Sequence, residues 1–474
     1  MVFSSAAFLF AFFPIYLLIV LCVRNLRINN ILLLIMSLIF YAWGEPFYIL
    51  LMLFSMLVNY LLALPAAKYA NNDCIRRRTF LSIAAIFNIT LLGIFKYAGF
   101  LMNTINSVCG LGLPVPNIPL PIGISFFTFQ TMSYVIDAYR GTCSVQKNFG
   151  KFALYISFFP QLIAGPIVKY HDIEMQLDYR KISFEGIADG ARRFFVGLAK
   201  KLIISNACAV IVDNIYENAG SDLNILIAWT AAICYCFQLY FDFSGYSDMA
   251  IGLGKMAGFK FMENFNYPYI SLSVRDFWKR WHISLTTWFR EYVYFPLGGN
   301  RKGELRTGLN RLTVFLLTGL WHGAQWTFVV WGLFHGIFML LETYLIHPEK
   351  WKYKILSRIY TLVIVAVGFT IFRADNMAQA LNFIASMFVG FNFTHNGLAM
   401  LCEVFDSYNV LIIITATIAC TPWLKNKADG ISAQSIASKK TVTCFKYAAS
   451  LGLIAICILS LASSTYNPFI YFRF

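Results

Sequence analysis

A neutral imidazole is the commonest base in group transfer, because its ordinary pKa of about 6.5 lets it take up a proton near neutral pH. The chain holds six histidines. Three of them, His282, His322 and His335, stand inside or between apolar spans, where an ionisable residue is a functional candidate. His322 and His335 occupy a near-repeat: residues 319–323 read GLWHG and residues 332–336 read GLFHG. Each is a Gly-x-x-x-Gly frame, which lets two helices approach closely or lets one helix break. Such frames can be packing motifs whose imidazoles bond to backbone, or they can seat a base. For His335 packing is the preferred reading. For His322 it is catalysis, because the flanking apolar runs hold it far from either charged loop.

Residues 275–291 read RDFWKRWHISLTTWFRE. As one helix, this segment puts Trp278, Trp281, Leu285 and Trp288 on one face and Arg275, Lys279, His282 and Arg290 on another. It is either an interfacial anchor or a cationic lining that receives an anionic, phosphorylated donor beside His282. In the second reading Arg275, Lys279, Arg290 and Trp278 meet the donor, and Asp242 and Asp248 organise the site or pair with its cations. The following PLGGNRKG at 296–303 adds glycines and cations but lacks the spacing of a nucleotide loop. Ser244 and Ser247 lie near the two aspartates, yet no G-x-S-x-G elbow exists, so a hydrolase triad is rejected. Eleven cysteines contain no C-x-x-C pair, so neither a metal site nor a disulfide framework is expected.

The elements that position these residues are membrane helices. Hydrophobic residues make up 59% of the chain and charged ones 13%, about half the ~25% of a soluble domain. That excludes a soluble enzyme, a disordered chain and a nucleic-acid-binding domain. Apolar runs at 3–23, 28–43, 47–67, 80–102, 120–138, 191–212, 223–241, 309–346, 359–372, 410–424 and 442–461 predict an all-α, polytopic protein. The first run reads as a retained helix and not a signal peptide. Pro160 and Pro166 break the run 152–168, which suggests a kinked or re-entrant segment. Residues 172–185 read as a polar surface loop, and from Asp242 to Gly308 the chain mixes charge, aromatics, Gly and Pro. The net charge of +15 is concentrated between spans. It puts loops 68–78, 347–358 and 425–440 inside, and 103–117, 391–407 and the C-terminus outside. The aromatic tail 469–474 is expected to dock on the outer face or on a partner there.

Several segments together resemble the membrane-bound O-acyltransferase superfamily, in its alginate O-acetylase and peptidoglycan O-acetyltransferase branch. They are FYAWGEP at 40–46, FFTFQTMSYVIDAYR at 126–140, FFPQLIAGPI at 158–167, FDFSGYSDMAIGLGKMAGF at 241–259, ENFNYPY at 263–269, RDFWKRWHISLTTWFREYVYFPLGGNR at 275–301 and GLWHGAQWTFVVWGLFHG at 319–336. The match covers nearly the whole chain, with D-alanyl transfer proteins of teichoic acid synthesis as relatives. The resemblance implies one domain over 1–474, with a catalytic core at about 120–346, and a helical bundle with re-entrant segments and a central tunnel. It implies His322 as the invariant catalytic histidine and His282 as the second. It further implies acetyl-CoA as donor and an extracytoplasmic polysaccharide or peptidoglycan as acceptor. An extracytoplasmic partner resembling an SGNH hydrolase would complete the transfer at a multi-pass bacterial inner membrane. Two rival readings are a transporter or flippase and a membrane anchor for a polymer-modifying complex.

Overall fold

The apolar runs fold as helices, and among the described residues of the computed structural model there is no strand. The structure describes residues 1–68, 74–433, 435–463 and 469. Among them, seven helices are long and apolar enough to cross a membrane, or eight if the bent pair His395–Val404 and Ser407–Ala419 is one span. The backbone satisfies itself within each helix, which is what a bilayer demands. The chain forms two compact units, one of Met1–Phe194 with Ser247–Met262, the other of Phe195–Tyr246 with Glu263–Phe474.

The first unit closes around rings. Phe3, Phe8, Phe12, Phe40 and Phe159 are buried, with centroid separations from 5.0 to 6.3 Å. Some of its polar groups pair inside the unit, where an orphan costs several kcal/mol, of order 2–7, although neither side-chain polar atom of the buried Gln130 has a hydrogen-bond partner among the described residues. Asn88 donates to Asn59 Oδ1 at 2.7 Å, and Arg193 meets Asp248 at 2.8 Å. Residues 152–170 are buried throughout, and the helix Phe149–Ser157 breaks at Phe158 before one further turn, Phe159–Leu162. The predicted kink is therefore present, in protein-covered backbone.

Two expectations fail in this part of the chain. Residues 172–185 are not one continuous loop: Tyr170–Asp178 is a helix whose Tyr170, Ile173 and Leu177 are buried at helical spacing, and only 179–183 separate it from the helix that starts at Phe184. The charge-rich stretch from Asp242 does not leave the preceding helix either, which runs unbroken over Ile225–Met256. A Cβ at Gly252 would stand 2.5 Å from the carbonyl oxygen of Gly190, so glycine is what lets the helix pass there.

The second unit packs Cys208, Ile215, Ile227 and Tyr235 with Phe277, Trp281, Phe328, Val365 and Phe369 in one apolar cluster. Asp242 pairs with Lys201, both buried, and accepts from Ser205 at 3.3 Å. Residues 391–407, read as a loop, contain the helix His395–Val404. The aromatic tail lies outside the described residues except for Phe469, whose ring lies tilted against that of Tyr246 at 4.7 Å.

Candidate active site

The run 309–346 folds as two helices, Glu304–His322 and Trp326–Tyr344, joined through an extended Gly323. The glycines explain the hairpin. A Cβ at Gly319 would run into the carbonyl oxygen of Phe328, and one at Gly332 into that of Phe315; the Gly319 position also lies 3.3 Å from the Cα of Gly332. The two helices therefore touch backbone to backbone. His322 is the last residue of the first helix, beside the break, and His335 sits in the middle of the second.

His322 is buried in a box of rings. Its centroid lies 5.0 Å from Trp321, 5.1 Å from Trp331 and 5.2 Å from Phe372, all edge-on. Trp321 also meets His282, at 5.9 Å, so one indole touches both imidazoles. His335 packs on Trp278 at 5.1 Å and on Trp331 at 5.2 Å. Neither of its ring nitrogens has a hydrogen-bond partner among the described residues. Its ring is held by neighbouring rings, without the backbone bond expected of it. Its Nε2 occupies the space a Cβ of Gly368 would need.

The 275–291 segment is not one helix. It forms Val274–Arg280 and Ile283–Phe289, and His282 between them has φ +45°. That left-handed backbone is uncommon for a side chain other than Gly, Asn or Asp, so the surroundings must hold it. Asn264 does so: its carbonyl accepts from Ile283 N at 3.0 Å and its Oδ1 from Ser284 N at 3.2 Å. The same Oδ1 lies 2.9 Å from Ser284 Oγ and 3.1 Å from His282 Nδ1. At the other end, the first turn of Val274–Arg280 has its amides taken up. Val274 N and Arg275 N donate to the two carboxylate oxygens of Glu342 at 2.7 and 2.9 Å, and Asp276 N donates to Ser273 Oγ at 3.0 Å. A carboxylate at a helix start is favoured both by the orphan amides and by the dipole.

The six residues assigned to the donor site are spread among different surroundings. Trp278 is buried against His335, and Arg275 pairs with Glu349 at 2.5 Å. Lys279 and Arg290 are exposed, Arg290 lying 3.8 Å from Glu291. Asp242 and Asp248 pair with Lys201 and Arg193, and not with the cations of the 275–291 segment. Among the described residues no group of three or more His, Cys, Asp and Glu could hold a metal. Two residues escaped the sequence reading. Glu342 is the one carboxylate inside the 309–346 run, and an ionisable residue within a span was signal enough. Asn264 lies in the ENFNYPY segment, but its part depends on a chain reversal that no local pattern reveals.

A buried imidazole at a helix break, walled by indoles, one of which also touches a second imidazole, suits proton abstraction from a hydroxyl. The family model described as MBOAT, membrane-bound O-acyltransferase family, matches residues 143–350, a stretch that contains all three histidines. A probable alginate O-acetylase of Azotobacter vinelandii is 37% identical over the full length of both chains. The chain belongs to the membrane-bound O-acyltransferase family. A probable alginate O-acetylase of Pseudomonas aeruginosa is 40% identical over 82% of this chain and 75% of its own, and a peptidoglycan O-acetyltransferase of Helicobacter pylori 36% over 83% and 80%. The protein is a multi-pass membrane O-acyltransferase that takes an acyl group from a donor to an acceptor hydroxyl.

Proposed function

We propose that this acyltransferase moves an acetyl group from cytoplasmic acetyl-CoA to a hydroxyl of an extracytoplasmic polysaccharide or peptidoglycan, at the inner membrane of a bacterium. His322 takes the hydroxyl proton. The oxygen adds to the thioester carbonyl, the C–S bond breaks, and the departing thiolate recovers the proton from the imidazolium. His282 accepts a hydrogen bond from the acceptor and keeps its hydroxyl in line. The hydroxyl at His322 belongs either to the polymer itself or to the serine of an extracytoplasmic partner of the SGNH-hydrolase type, which then passes the acetyl group to the polymer. Lys279 and Arg290, exposed and cationic, are the residues left for the donor's phosphates. The reading rests above all on His322, buried at the helix break inside the ring box. The alginate and peptidoglycan relatives support acetyl as the group and a polymer as acceptor.

The test is thiol release from acetyl-CoA and acetylation of added polymer by the purified protein in lipid nanodiscs. General-base catalysis is worth roughly 10²–10⁴-fold. His322→Gln should therefore remove detectable transfer while donor binding survives, and His335→Gln should keep substantial transfer. A well-folded His322→Gln protein with near-normal transfer would refute the mechanism. Polymer flux without thioester turnover would favour a transporter.

A further inference from the structure

We propose that Asn264 is a positioning residue that fixes the tautomer of His282, so that Nε2, and not Nδ1, is the nitrogen that accepts a hydrogen bond from the acceptor. The inference rests on the reading that His282 aligns the acceptor hydroxyl.

The argument starts from a group whose polarity is not in question. A backbone N–H can only donate. Ser284 N lies 3.2 Å from the Asn264 side-chain atom, so that atom must be the amide oxygen. The orientation of the Asn264 amide is thereby set by the backbone. The oxygen cannot donate. His282 Nδ1, at 3.1 Å from it, must therefore carry the hydrogen. A neutral imidazole carries one N–H, so the lone pair resides on Nε2. Burial supports the neutral form, pushing this imidazole down to about 3. The short helices on either side of His282 are not among those long and apolar enough to cross a membrane.

Asn264 is itself buried and does two jobs at once. Its backbone carbonyl and side-chain oxygen clamp the two amides that follow His282, which holds the left-handed turn at φ +45°. The same oxygen aims the imidazole edge-on toward Phe243, at 4.6 Å, and toward Trp321. Turn and tautomer are set by one side chain. An alanine at 264 would release both the ring and the turn. An aspartate would keep the acceptor geometry but add a negative charge beside Nδ1, which favours the imidazolium. The imidazolium has no lone pair on Nε2 and cannot accept.

The experiment compares wild type, Asn264→Ala, Asn264→Asp, His282→Gln and the double variant Asn264→Ala/His282→Gln. It measures kcat, the donor KM and the pH profile with acetyl-CoA in nanodiscs. Asn264→Ala should lower kcat tenfold or more with the donor KM within about twofold, and should add nothing to the loss in His282→Gln. Asn264→Asp should keep activity at alkaline pH while its acid limb moves up by a pH unit or more. If Asn264→Ala does not fold, the pH profile of Asn264→Asp decides alone. Wild-type kcat and pH profile in both Asn264 variants, with His282→Gln impaired, would overturn the inference and leave the role of His282 standing. A normal His282→Gln would instead remove that role, and the inference with it.

Discussion

Glu342→Gln should loosen the approach to His282 without touching an imidazole. In the native protein two amides, the buried Val274 N and the partly buried Arg275 N, donate to the two oxygens of one carboxylate at 2.7 and 2.9 Å. Glutamine can accept from only one of them; its NH₂ would then face the other amide, donor against donor. The change loses one charge-assisted hydrogen bond, about 1.5–3 kcal/mol, and strands one buried donor, about 1–3 kcal/mol. Against this, a buried charge no longer has to be desolvated. A net loss of about 2–3 kcal/mol follows, confined to residues 273–282. By local-opening arithmetic that is roughly a 30–160-fold rise in amide exchange. Hydrogen–deuterium exchange with peptide-resolved mass spectrometry reads it directly, with peptides from the 354–373 helix as internal control. The kcat for acetyl transfer should fall in parallel, because Val274–Arg280 leads into the His282 turn. Unchanged protection over 274–280 would refute the reasoning about the carboxylate. Lost protection with unchanged kcat would show that the seating of this helix does not govern His282.

Gly368→Ala should lower the unfolding temperature, since its Cβ would overlap His335 Nε2 and overpacking costs about 1–3 kcal/mol. In a His335→Ala background the same change should be nearly neutral in a thermal melt, and an equal penalty there would mean that the clash is not with the imidazole. Lys279→Ala should raise the donor KM about tenfold, the worth of one charge-assisted contact, at unchanged protein level; an unchanged KM would favour a lipid anchor. Single cysteines placed at Asn106 and Lys427 in a cysteine-depleted chain should label from opposite faces of the membrane, and labelling from the same face would reverse the Lys/Arg argument.

The spans were legible because lipid leaves so little choice: long apolar runs at Tyr48–Ala66, Lys354–Arg373 and Trp326–Tyr344 have no other stable form. The break between His322 and Trp326 was legible too, from the glycines that flank it. What composition concealed was helix made of polar residues. Asp242 and Asp248 look like loop residues until Lys201 and Arg193 are found opposite them, and those partners are distant in sequence. The turn at His282 has no Gly or Pro to announce it. Its left-handed backbone is held from Asn264, across a reversal of the chain, so a pattern search over 275–291 finds only a continuous amphipathic helix. The histidines were found by type, and the residues that aim them were not, because aiming is done over long range.

The glycines of the hairpin and the glycine at 368 obey different rules of sequence drift. At Gly319 and Gly332 the obstacle to any side chain is a carbonyl oxygen of the opposing helix. No substitution elsewhere removes a carbonyl, so neither position has a compensating partner. A library that randomises both together should still return glycine at both. At Gly368 the obstacle is the imidazole of His335, and a smaller residue at 335 opens the space. Those two positions can exchange volume, so in a deep set of variants they should vary as a pair while 319 and 332 stay constant.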